Sequence, residues 1–166
     1  MNTIERVILS HWHNDHSGGL LAFLRYRNNK LRASQITEQD GDIVGTSHGA
    51  GLRTPIVVDL HPDRPIARGI APPPTHDKVI ARLPADPTFE EIEGENAVVE
   101  THMDGHFVAG DTVYVSGEIP REVPFEQGLP GGMRWVEEGE GEAKWISEPV
   151  RDKAARVFFC KFANVH

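Results

Sequence analysis

The segment from Arg6 to Lys30 constrains the fold more than any other part of the chain. It opens with Arg6-Val7-Ile8-Leu9-Ser10, a short apolar and β-branched run that ends directly in polar residues, the pattern of a buried strand running out into a loop. Three histidines follow within six residues, in Ser10-His11-Trp12-His13-Asn14-Asp15-His16-Ser17-Gly18-Gly19. Leu20, Leu21, Phe23 and Leu24 then form one apolar stripe, with Arg25, Arg27 and Lys30 toward its end. That is a helix capped by Ser17 or a small neighbour, and the glycine pair lets it start close to the strand end. Pro55-Ile56-Val57-Val58-Asp59-Leu60 is a second strand. Strand, helix, strand implies a parallel βαβ unit.

The rest of the chain is more broken. Residues 33–54 lose periodicity and read as a loop or insertion. Val79–Leu83 reads as a further strand, and Thr88-Phe89-Glu90-Glu91 has the form of a capping box opening a short helix that stops at Gly94. Ala97–Thr101, His106–Ala109 and Thr112–Ser116 read as successive strands, joined by Asp104-Gly105 and Gly110-Asp111 turns. Beyond Arg121 the chain reads as irregular. With 16 glycines and 12 prolines in 166 residues, a helical bundle or coiled coil is excluded.

One cysteine cannot form an intramolecular disulfide, and Met1–Arg6 lacks the layout of a secretion signal. No apolar run approaches the roughly 18 residues of a membrane span, so the expected setting is cytoplasmic with no membrane partner. Of the net charge of −8, residues 83–120 hold nine Asp and Glu and no Lys or Arg. Such a stretch repels a phosphate backbone, which argues against nucleic acid as a partner, and it reads as a solvated acidic surface.

The histidine loop carries the chemistry. In an extended segment His11 and His13 project to one side and converge on one metal ion, while the following turn brings Asp15 and His16 to a second. Neutral imidazole and carboxylate suit zinc, and also iron or manganese. Two such ions sharing a water hold it for attack on an electrophile, with Asp15 both a ligand and the group that orients or deprotonates it. A zinc that does chemistry wants a third protein ligand. His48, His61, His76, His102 and His106 are candidates, and His61, just after a strand end, is the best placed. Glu118 and Arg121 follow another strand end, where binding residues sit, and an arginine suits a phosphate. Arg64 and Arg68, beside His61-Pro62, are candidates for an anion-binding patch. Cys160, among Phe158, Phe159 and Phe162, has no base partner in the sequence and reads as apolar packing.

At His11-Trp12-His13-Asn14-Asp15-His16 the chain resembles the metallo-β-lactamase fold superfamily, marked by His-x-His-x-Asp-His after a strand. With Val58-Asp59-Leu60-His61-Pro62 and Val115-Ser116-Gly117-Glu118-Ile119-Pro120-Arg121 it looks like the dihydropterin synthase-like branch, over about residues 4–152. The namesake activity joins a ribofuranosyl-aminobenzene phosphate to a dihydropterin. The resemblance implies an α/β fold, a metallo-β-lactamase-like αββα sandwich with a dinuclear metal site of two zinc ions. His11, His13, Asp15 and His16 are then metal ligands, Asp15 is also catalytic, and His61, Glu118 and Arg121 bind a small-molecule substrate, phosphorylated in the namesake reaction.

Relatives place more strands before the motif and supply a third histidine in a Cys-Ser-His-like segment. The expectation is therefore an N-terminal half of the sandwich: residues 1–152 a partial domain and 153–166 an atypical tail, with self-association through an uncovered sheet face. Three readings stand: a transferase-like enzyme, a metallo-hydrolase of an ester, phosphoester or amide, and a catalytically inert fragment.

Overall fold

The computed structural model describes residues 4–39, 54–74, 76, 78–119, 130–137, 143–147 and 158–160. In chain order the elements are β1 (Arg6–Ile8), α1 (Asn14–Ser17), α2 (Leu20–Gln39), β2 (Ile56–Leu60), β3 (Arg68–Ile70), β4 (Ala81–Arg82), α3 (Phe89–Glu93), β5 (Ala97–Thr101), β6 (His106–Val108), β7 (Val113–Val115), β8 (Gly132–Val136), β9 (Lys144–Ser147) and β10 (Phe158–Cys160). Among these residues no helix is long and apolar enough to cross a membrane.

The βαβ expectation holds. β1, β2 and β5 form a parallel sheet in that order, with Val7 opposite Val58 and Val58 opposite Val99. Parallel neighbours need a crossover, and α2 supplies it between β1 and β2. Alternation along the strands places Val7, Ile56, Val58, Leu60, Ala97 and Val99 on one face. That face forms one core with Leu9, Trp12, Leu20 and Leu24 from the loop and α2, and with Ile92 from α3. Leu24, Ile56, Val58, Leu60 and Ile92 are wholly buried, and each contributes about 1.5–3 kcal/mol by leaving water. The opposite face carries Arg6, Asp59 and Glu100, a polar line on an otherwise apolar sheet.

α2 departs from expectation at its far end. Ser17 closes the single turn of α1, whose chain bends at Gly18, and its small neighbour Gly19 stands before α2, its carbonyl accepting from Phe23 N–H at 3.0 Å. A side chain at Gly18 would collide with the backbone oxygen and side chain of Asn14, so only glycine lets the two helices meet. α2 runs on to Gln39, through residues expected to be loop. Ala33, Gln35 and Glu38 are adequate helix formers, and the apolar stripe that marks the first half is simply not continued. Residues 40–53 lie outside the described residues.

α3 matches its reading closely. Glu91 N–H donates to Thr88 Oγ1 at 3.1 Å and Thr88 N–H to Glu91 Oε2 at 2.8 Å, a reciprocal capping box. The neighbouring Glu90 carboxyl is held below its ordinary pKa first by a hydrogen bond from its own backbone and then by the Thr88 hydroxyl.

Two antiparallel sheets complete the described fold, β10-β7-β6 and β4-β3-β8-β9. The Asp104-Gly105 turn carries the chain out of the parallel sheet into the first of them. β3, β8 and β9 lie where no strand was expected. They are short, and long-range pairing defines them: β3 pairs with β8, and in β8–β9 Trp135 stands directly opposite Trp145, rings 5.3 Å apart and edge-on.

A buried ion pair ties this second sheet to the histidine loop. Arg68 of β3 and Asp86 are 3% and 4% exposed, and the guanidinium donates to both carboxylate oxygens, at 3.0 and 2.8 Å. The buried Ser17 hydroxyl also lies against Asp86 Oδ1, at 2.5 Å. Arg64 donates to the Pro87 and Asp86 carbonyls at 2.7 and 2.6 Å. Both arginines are thus committed inside the protein, which replaces the expectation of an anion-binding patch. Asp86→Ala would leave Arg68 buried without its counter-charge and is expected to destabilise by about 3–5 kcal/mol; urea unfolding checks this, and a loss under about 1 kcal/mol would contradict it.

Candidate metal centre

The candidate ligands sit where β1 ends. Leu9 N–H still donates to Asp59 O at 2.8 Å, after which the chain leaves the sheet and alternates. Trp12 turns inward and is buried, with its Nε1–H donating to His61 O at 3.0 Å and its ring 6.2 Å from Phe89. His11 and His13 turn outward on either side of it. His13 is extended at the N-cap of α1, and its carbonyl accepts from His16 N–H and Ser17 N–H, both at 2.8 Å. This single turn brings His16 back over His11.

The structure draws His11, Asp15 and His16 into one group, their ligand atoms all within 4.8 Å of one another. The His11 and His16 rings are 4.0 Å apart, and the His13 ring stands edge-on to His11 at 4.6 Å. His16 Nε2 lies 3.6 Å from Asp15 Oδ2, with the two side chains 45% and 78% exposed. His13 Nε2, by contrast, is shielded from solvent. Donors around a tetrahedral zinc lie about 3.4 Å apart. The open side of the loop, formed by the two exposed side chains, leaves room for that final approach, and imidazole with carboxylate is a suitable donor set.

Ser10 was not expected to matter and does. Its hydroxyl lies 3.1 Å from His11 Nδ1 and 3.0 Å from His16 Nδ1. One hydroxyl oxygen has two lone pairs, so it can accept an N–H from both rings. That tautomer turns both Nε2 lone pairs outward as ligand atoms, the usual service of an outer hydrogen-bond partner. Ser10 and His16 also line a cleft of about 460 Å³ running along β1 and the start of α2, with Ile4, Val7, Leu20 and Phe23 on its walls.

His61 and Glu118 come together, His61 Nε2 lying 3.3 Å from Glu118 Oε1. Asp63 N–H donates to His61 Nδ1 at 3.0 Å. The acceptor nitrogen carries no proton, so in the neutral ring the proton sits on Nε2, at ion-pair distance from Glu118 Oε1 but outside hydrogen-bond geometry. His61 is 2% exposed and Glu118 34%; of the pair, Glu118 is the one solvent can reach. Arg121 and His48 lie outside the described residues, and His76 Nδ1 is 2.8 Å from Ala71 O.

His102 and His106 form a different group with Asp59, a residue the sequence reading passed over. A charged residue within Ile56-Val57-Val58-Asp59-Leu60 was the available signal. For the loop itself, Ser10→Ala is expected to lower zinc affinity about 10–100-fold with little change in thermal midpoint. Zinc titration against a competing chelator checks this, and an unchanged affinity would remove Ser10 from the account.

Comparison with known proteins agrees with the loop. The family model of the metallo-beta-lactamase superfamily matches residues 2–160, spanning the histidine loop, all three sheets and β10. No curated protein and no solved structure matches the chain. The chain belongs to the metallo-beta-lactamase superfamily.

Proposed function

We propose that this protein is a metal-dependent enzyme of its superfamily that carries out group transfer at a dinuclear centre, in the manner of the dihydropterin synthase-like proteins it resembles. The observation that carries the reading is the convergence of His11, Asp15 and His16 within 4.8 Å, beside His13 and braced by Ser10. His11, His13, Asp15 and His16 are the proposed ligands, and zinc is the proposed metal. Divalent ions held there supply Lewis acidity toward an electrophilic centre and its leaving group.

The protein's own groups do the rest. Asp15, the most exposed of the cluster, is placed to take a proton from an incoming nucleophile. His61, buried, keeps its imidazole 3.3 Å from Glu118 Oε1. Glu118 is the proposed substrate contact beside it, and Arg121, three residues on, is proposed to hold a substrate phosphate. The apolar cleft walls from Ile4 to Phe23 suit a flat aromatic group, as an aminobenzene or pterin would present.

Hydrolysis is the second reading, favoured by the exposure of Asp15 and His16, which leaves the cluster open to water. One experiment separates the two. The zinc-loaded protein is given a ribofuranosyl-aminobenzene phosphate with a dihydropterin donor, in water labelled with ¹⁸O, alongside His11→Ala and Asp15→Ala variants. Conjugate formation that falls about 100-fold or more in both variants is the expected result; label in a cleaved product would shift the reading to hydrolase. Turnover indifferent to both substitutions would remove the loop from the chemistry, and a folded wild type that retains no zinc and turns nothing over would leave the inert-fragment reading in its place.

A further inference from the structure

We infer that Asp59, His102 and His106 form a site of their own for a zinc-type divalent ion, linking the parallel sheet to the antiparallel sheet beside it. Asp59 lies on the β2 face away from the core and is wholly buried. An ionised carboxylate there needs compensation. His102 Nδ1 lies 3.1 Å from its Oδ1 and His106 Nε2 2.7 Å from its Oδ2, and the ligand atoms of the three residues are all within 4.8 Å of one another. Arg6 reaches Oδ2 at 3.3 Å but is closer to Glu100, at 2.6 Å. Arg6 thus bridges the two carboxylates.

The tautomer of His106 gives the sharper argument. Its Nδ1 lies 3.2 Å from Asp104 O, and a carbonyl only accepts, so Nδ1 carries a proton. A neutral ring then points the Nε2 lone pair at a carboxylate oxygen 2.7 Å away. At that spacing the two atoms are closer than the roughly 3.4 Å between donors on a tetrahedral zinc, so an ion is seated by a small parting of the ring and the carboxylate. A metal-ligating histidine commonly donates its other ring N–H to a backbone carbonyl, as His106 does to Asp104 O. The His102 and His106 rings are stacked, 3.7 Å apart at 23°.

The frame is prepared for an ion. His102 N–H donates to Leu60 O at 3.1 Å and Glu118 N–H to Met103 O at 2.9 Å, while a side chain on Gly105 would strike the Tyr114 hydroxyl. The turn carrying both histidines is therefore fixed. The His102 side chain is 35% exposed and that of His106 17%, leaving an entry side and a place for a water as fourth ligand. Two imidazoles and one carboxylate favour zinc over calcium or magnesium. A carboxylate offers about four lone-pair positions, enough for Arg6 and an ion together.

The test uses the full chain with His11→Ala, Asp15→Ala and His16→Ala combined, which leaves His13 as the loop's single proposed ligand. It is expected to bind one zinc, and adding His106→Gln is expected to abolish that binding. No zinc in the triple variant, or zinc that survives His106→Gln, overturns the proposal. Should the combined variant not fold, imidazole ¹⁵N spectra of the wild type decide. Zinc should shift His102 Nδ1 and His106 Nε2, and their indifference to zinc, or a pH-dependent shift of His106 alone, assigns the cluster to a proton instead.

Discussion

The histidine loop depends on the buried contact of Ser17, Asp86 and Arg68. A loop carrying three imidazoles and a carboxylate has little apolar surface with which to hold itself in place. It is fixed instead from below, by a serine hydroxyl at the end of α1 seated on a carboxylate that is locked by a guanidinium from β3. Trp12 supplies the apolar counterpart, inserted between α3 and the His61 backbone. Such an ion pair adds little net stability over an apolar filling but is expensive to break on one side. Its consequence here is positional: α1 cannot turn without disturbing both sheets.

The charge distribution has the same origin. The stretch 83–120 looked like a solvated acidic surface, yet three of its carboxylates are met by arginines from the first part of the chain: Asp86 by Arg68, Glu95 by Arg25 and Glu100 by Arg6. The acidic middle folds against the more basic beginning. The exposed Arg25–Glu95 pair contributes little by itself. Arg6, with Asp59 and Glu100 both in reach, organises the polar face of the parallel sheet.

Local patterns were legible in the sequence where one local force decides. The β1–α2–β2 unit follows from apolar runs of the right period, α3 from its capping box, and the projection of His11 and His13 to one side from simple alternation. What was not legible depends on partners distant in sequence. β3 contains Arg68 and Gly69 and is a strand because β8 pairs with it. Arg64 and Arg68 look like surface arginines until Asp86 is placed beside them. Asp59 reads as an odd residue in a strand, and only the fold shows two histidines more than forty positions away meeting its two oxygens.

The central claim is that the loop from Ser10 to Ser17 is a metal centre on a rigid base. An anomalous difference map at the zinc edge, from crystals of the zinc-loaded protein, tests it most directly. The account predicts density within about 2.0–2.2 Å of ligand atoms of His11, Asp15 and His16, with Ser10 bonded to both rings. An ordered loop with no anomalous density, in protein that holds zinc elsewhere, would contradict it.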